Sequence, residues 1–201
     1  SIVLPDGAKS IGNEAFASCS SLTSIVIPDG VTSIGYRAFC DCSSLTSIVL
    51  PDSVTTIGDG AFWDCSSLTS IVIPDGVTSI GDDAFYGCSS LTSMVVAEGN
   101  TVYDSREQCN AIIHIATNTL ISGCQSTIIP DSVTSIGGGA FSGCSSLTSV
   151  VIGNGVTSIG RRAFCACSLT SINIPNSVTS IGESAFEYCR SLTSIVISDG
   201  V

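Results

Sequence analysis

Residues 22–42 read Leu22-Thr-Ser-Ile25-Val-Ile27-Pro-Asp-Gly30-Val31-Thr-Ser-Ile34-Gly35-Tyr-Arg-Ala38-Phe39-Cys-Asp-Cys42. The closing phrase, Ile-Gly-x-x-Ala-Phe-x-x-Cys, recurs with Phe16, Phe39, Phe62 and Phe85 at intervals of 23 residues, and returns at Phe141, Phe164 and Phe186. A fixed period of roughly 20–50 residues marks a stacked repeat protein. Such a unit cannot bury its apolar side alone, so neighbours stack and share one continuous core.

Within the quoted unit, Leu22, Ile25 and Ile27 follow the spacing L-x-x-L-x-L and point inward from a short strand. Pro28-Asp29-Gly30 stops it, because proline removes a ladder donor and Asp-Gly supplies turn chemistry. Val31 and Ile34 turn the chain back toward the core. Gly35 to Cys42 is expected to form one short helical turn with Ala38, Phe39 and Cys42 facing in.

The phrases Leu-Thr-Ser-Ile-Val-Ile-Pro-Asp, Val-Thr-Ser-Ile-Gly and Ala-Phe-x-x-Cys-Ser-Ser-Leu resemble the BspA-like (Treponema pallidum-type) leucine-rich-repeat family over almost the whole chain. The resemblance implies a right-handed α/β leucine-rich-repeat solenoid of 23-residue repeats, with a parallel β-sheet on the concave face and short helical turns opposite. Residues 1–201 read as one solenoid of about 8 repeats with no separate domain. The resemblance also implies a surface-exposed or secreted setting, extracellular or at the cell surface, and a role in adhesion to matrix proteins or other cells.

The array breaks once. From Val96 to Ile129 the step is 33 residues. In this irregular repeat, about 96–129, Ala111 to Ala116 and Thr119 to Ser122 flank Thr117-Asn118 and read as a β-hairpin. It is expected to be a structural elaboration, or a protruding edge that a partner strand joins. The first residue, Ser1, already lies within a repeat, and the last, Asp199-Gly200-Val201, lies within another. The chain therefore reads as a fragment of a longer array, or as a chain whose caps and targeting segments were removed.

Seven of the 11 cysteines share one repeat position, at Cys19, Cys42, Cys65, Cys88, Cys144, Cys167 and Cys189, and Cys124 is expected to join them. Stacked about 4.8 Å apart, they form an inward ladder of small apolar side chains. Parallel side chains suit neither disulfides nor the converging ligands of a zinc site. Cys40 and Cys165 lie off the ladder and are expected to be exposed thiols. A bridge between Cys109 and Cys124 would clamp the hairpin; the sequence leaves it open.

The chain has 17 acidic and 6 basic residues, for a net charge of −11, and no basic stripe for nucleic acid. Apolar residues make up 44% without any long apolar run, so the sequence is folded and carries no membrane-inserting segment. The single histidine, His114, lacks an arrangement that would make it a catalytic base, and no phosphate loop or dinucleotide fingerprint is present. No catalytic residue, cofactor or metal site is assigned. Asp6, Asp29, Asp52, Asp75 and Asp131 share a turn position, where they are expected to satisfy backbone amides rather than bind calcium.

Comparing the repeats with one another separates constant from individual positions. The strand face repeats Thr, Ser and a valine row at Val26, Val49, Val72, Val95 and Val151. Individuality lies in the turn segment, where Tyr36, Arg37, Trp63 and Tyr86 are expected to form a patch; aromatic residues and arginine dominate interaction hot spots. The sequence therefore points to a non-enzymatic adhesion or protein-interaction scaffold for a protein or cell-surface ligand. The alternatives are a self-associating architectural array, or a binder of a repetitive ligand such as polysaccharide or ice through the rows Thr23, Thr46, Thr69, Thr92 and Thr32, Thr55, Thr78.

Overall fold

A computed structural model describes residues 2–197. In the quoted repeat, Ser24–Val26 is a strand, with Ile25 and Ile27 buried and Val26 71% exposed. It lies parallel between Ile2–Val3 and Ser47–Val49, with Ile2, Ile25 and Ile48 in register. Ser70–Ile73 and Ser93–Val96 continue the column, pairing Ile71 with Met94. The return segment makes a second parallel column, unforeseen in the sequence: Ser10–Ile11, Ser33–Ile34, Thr56–Ile57 and Ser79–Ile80. Its β-branched Val-Thr-Ser-Ile run suits extended backbone, and Val31, Ile34, Val54 and Ile57 are buried.

The third side is not the expected helical turn. Arg37 and Asp41 have φ of 48° and 58°, and left-handed residues recur four apart in the other regular coils, as at Arg162 and Ala166. The segment is a run of tight turns: the Ala38, Cys40 and Cys42 amides donate to the carbonyls three residues back, of Gly35, Arg37 and Phe39. The alternate amides of Arg37, Phe39 and Asp41 donate to Asp59, Ala61 and Trp63 of the next coil at 2.7–3.0 Å. An α-helix would turn those donors inward to its own carbonyls, leaving nothing to bind coil to coil. The 3-10 turn at Arg106–Gln108 is the single helical element among the described residues.

Close stacking explains the repeated residues. A Cβ on Gly58 would lie 2.7 Å from the Tyr36 amide nitrogen, whereas one on Gly12 meets nothing within 4 Å. The Ile-Gly glycine is therefore needed wherever another coil precedes it. Phe16, Phe39, Phe62 and Phe85 stack face to face, with centroids 5.3–5.5 Å apart, as do Phe141, Phe164 and Phe186 at 5.1 and 5.4 Å. Each such aromatic pair contributes about 0.5–1.5 kcal/mol beyond simple burial.

The ladder cysteines also have a polar role. Cys42, Cys65 and Cys88 donate S–H bonds to the carbonyls of Phe16, Phe39 and Phe62, each at 3.1 Å, and Cys167 and Cys189 do the same to Phe141 and Phe164. Cys124 is buried but donates instead to Asn110, at 3.4 Å, while Cys109 turns to Ala111; all eleven are free thiols. Cys40 and Cys165 are not exposed: each is 6% accessible. Burial, ahead of its bond to Asp41, pushes the Cys40 thiol up to about 11, and burial pushes Cys42 up to about 12.

The interruption is a hairpin, but not a protruding one. Ala111–His114 and Thr119–Gly123 pair antiparallel, with a bulge between Ile112 and Ile113, and Tyr103–Asp104 adds a third strand. Thr119–Gly123 then pairs parallel with Ser135–Ile136, restarting the second column, which continues through Ser158–Ile159 to Ser180–Ile181. Ala111, Ile112 and Ile113 are fully buried; Ile112 joins the core of the preceding coils and Ile113 that of the following ones. The apolar run that reads as a hairpin is thus a partition with both faces covered. The expected ending inside a repeat at Asp199-Gly200-Val201 falls outside the described residues, as does Ser1.

Gly58→Ala is expected to destabilise the chain by about 1–3 kcal/mol, the usual penalty of overpacking, while Gly12→Ala causes no loss; urea unfolding of both variants checks this, and equal losses would refute the stacking argument. In the folded chain at pH 8, a thiol reagent is expected to find only the half-buried Cys19 and Cys189 readily accessible. The nine buried thiols should react on unfolding; their prompt reaction in the native state would contradict the ladder.

Candidate functional site

The turn ridge brings the four proposed contact residues together. Tight turns set successive coils one backbone spacing apart, so the residue after each core phenylalanine stands beside its counterpart. Trp63 and Tyr86 occupy this slot and stack with ring centroids 4.0 Å apart and planes 22° apart. The Arg37 guanidinium lies 5.3 Å from the Trp63 ring centroid and 5.2 Å from that of Tyr36, so one cation bridges two aromatic rings. Gly60, with φ of 58°, sits beneath: the place of its missing Cβ is 3.3 Å from Arg37 Cγ and 3.6 Å from Trp63 Cε3. Tyr36 is 42% exposed and the other three are partly buried, which makes the row an ordered surface rather than a set of free side chains.

Acidic residues that composition alone left undistinguished rim this row. Asp64 accepts the indole N–H of Trp63 at 3.0 Å and fixes the ring; burial raises its carboxyl, against the lowering effect of that bond. Asp41 accepts from the Cys40 thiol at 3.3 Å. Asp83 is raised by burial first and by neighbouring Asp82 next, with Arg162 and Arg161 opposing. Burial also raises the Tyr86 hydroxyl. The surface therefore presents aromatic edges and carboxylate oxygens. Asp64 was legible only as the residue following Trp63; nothing in the sequence tied it to the indole. Arg161–Glu183 at 3.5 Å and Arg162–Glu187 at 3.9 Å are exposed pairs, of the kind that contribute little.

The other candidate surfaces are built differently. The threonine hydroxyls Thr46, Thr69 and Thr92 donate to the carbonyls of Thr23, Thr46 and Thr69 at 3.3 Å, and Thr55 and Thr78 bond Thr32 and Thr55 in the same way. Their protons serve the solenoid, leaving acceptor lone pairs for a ligand. The valine row is exposed, from 77% at Val49 to 41% at Val95, but the paired strand column stops at Ser93–Val96 and resumes only at Ser171–Ile174. Val151 does not continue it, because the insertion has parted the coils: Ile128 donates to Cys109, not to a neighbouring strand. In the aspartate row, Asp75 accepts the Gly99 amide at 3.0 Å, whereas Ser53 takes the Gly30 amide. His114 contacts the Thr117 hydroxyl at 3.0 Å and lies edge-on to Tyr103. Among the described residues, no group of three potential metal ligands converges and no helix is long and apolar enough to cross a membrane.

The sequence pattern described as "BspA type Leucine rich repeat region" matches residues 1–111 and 119–201, in six copies. No curated protein sequence matches the chain. Among solved structures, a leucine-rich repeat protein of Eubacterium ventriosum is 29% identical with a TM-score of 0.77, over 96% of this chain and 59% of that one. One from Bacteroides ovatus is 28% identical with a TM-score of 0.65, over 99% of this chain and 61% of that one. The T. pallidum leucine-rich repeat protein is 29% identical with a TM-score of 0.56, over 95% and 77%. The chain thus spans about three fifths of the first two structures. Repeat phrase, parallel strand columns and matched extent agree: the chain belongs to the BspA-type leucine-rich-repeat family.

Proposed function

We propose that this chain is a non-enzymatic protein-interaction scaffold, secreted or displayed at a cell surface, whose contact surface includes Tyr36, Arg37, Trp63 and Tyr86. Leucine-rich-repeat solenoids are generally interaction scaffolds, which supports the class; the extracellular setting follows from the family resemblance. The observation that carries the site is the continuous stack of Arg37, Trp63 and Tyr86 across three successive coils. Large rigid side chains held in place before binding lose little conformational freedom on contact, and aromatic and arginine side chains commonly dominate interaction energies. The acidic rim and the net charge of −11 favour a partner with a basic face.

The test is a binding screen of the purified chain against matrix proteins and whole cells, with Trp63→Ala/Tyr86→Ala in parallel. The variant is expected to bind at least about 30-fold more weakly, equivalent to about 2 kcal/mol, and to melt within a few degrees of the parent because both side chains lie outside the core. Undiminished binding by the variant would move the contact surface elsewhere. Salt should also weaken the parent interaction, since exposed charges are screened within about 8–10 Å at physiological ionic strength.

A further inference from the structure

The turn ladder opens at one interval. Elsewhere, paired amides cross from each coil to the next: Arg37 to Asp59 and Phe39 to Ala61, Gly60 to Asp82 and Phe62 to Ala84, then Gly139 to Arg161 and Phe141 to Ala163, all at 2.7–3.0 Å. At Asp83 and Phe85 neither bond forms. The carbonyl due to Phe85, that of Ala140, is taken at 2.8 Å by Gly123 from the insertion. Among the described residues, the Asp83 and Phe85 amides have no other acceptor. The ladder closes again one step on, where Gly87 donates to Ser142 at 3.4 Å.

The separated coils enclose a cavity of about 280 Å³, lined by Asp83, Phe85, Tyr86, Ser122 and the run Gly137-Gly138-Gly139. Phe85 is 7% exposed, so its amide is shielded from bulk water. Buried amides are nearly always paired, which makes the Phe85 donor informative; Asp83, partly buried, lies beside it. The opposite wall has no side chain at two successive positions, and the Asp83 carboxylate lies against it at Gly139. Where other coils carry Tyr36-Arg37, Asp82-Asp83 or Arg161-Arg162, this one has Gly138-Gly139, and a Cβ on Gly138 would meet only the Arg161 carbonyl, at 3.5 Å.

We propose that this cleft binds a peptide unit of a protein partner, within an extended segment that is neutral or basic. Two amides separated by one residue are what a strand edge offers to an added strand. At Gly138 the facing wall has no side chain, so another backbone can approach there. Asp82 and Asp83 line the cleft itself, with Arg161 and Arg162 acting on Asp83 from outside the lining; the nearer carboxylates disfavour a carboxylate or phosphate as acceptor and favour an uncharged carbonyl. This site stands on a different observation from the aromatic row, and either can fail without the other.

The test is an amide-resonance titration of the isotopically labelled full chain with the peptide acetyl-Gly-Lys-Gly-amide, with sodium acetate as the anionic control. The expected result is a saturable shift of the Asp83 and Phe85 amides with the peptide but not with acetate, while Phe39 and Phe62 stay fixed. Slower hydrogen exchange at Asp83 and Phe85 with peptide present supports the site independently of the shifts. No saturable shift, or an equal response to acetate, would overturn the proposal.

Discussion

Everything in this chain depends on holding each coil one backbone spacing from the next. Strand pairing fixes that spacing on two sides, and the outward amides of the turn segment fix it on the third. Once it is fixed, little choice remains for what lies between coils. A side chain at Gly58 would collide with the backbone of the coil before it. The phenylalanine rings have room only to lie flat on one another, with planes within 9°. The ladder thiols at Cys42, Cys65 and Cys88 are buried in the core and each satisfies a phenylalanine carbonyl.

The same constraint shapes the surface. Threonine hydroxyls turn along the coil axis to bond the preceding carbonyl, so rows that read as a ligand-matching lattice are part of the scaffold. The slot after each core phenylalanine is free of such duties. It is where Cys40, Trp63, Tyr86 and Glu187 differ, and where side chains of successive coils are pressed into contact whatever their chemistry. Trp63 and Tyr86 stack because the backbones beneath them do.

How much of this was legible follows from what periodicity can carry. The 23-residue step located the buried Ile25, Ile34, Phe39 and Cys42 and put Trp63 beside Tyr86, since identical positions in a stack are neighbours. It was silent on backbone direction within the turn segment. Ala-Phe-x-x-Cys suits the inner face of a helix equally well, and left-handed backbone at Arg37 or Asp41 carries no uniform sequence mark because those slots hold Glu, Arg, Asp, Ser, Ala, Tyr and Gly in different coils. The second strand column was within reach through its β-branched run. The burial of Cys40, the partner of the Trp63 indole and the double-sided role of Ala111–Ile113 were not, because each depends on a neighbour outside the repeat pattern.

The buried partition has a mechanical meaning. In a stacked array each coil touches only its neighbours, so loss of an end coil exposes the next, and unravelling travels along the axis. Here the phenylalanine stack is discontinuous between Phe85 and Phe141, and the strand between the two cores is tied antiparallel to both its neighbours. A front of unfolding that enters from either end meets hydrogen bonds of a different direction and a core that shares side chains with only one side. Residues 111–123 thus work as a bulkhead, dividing one long filament into two compartments that can fail separately.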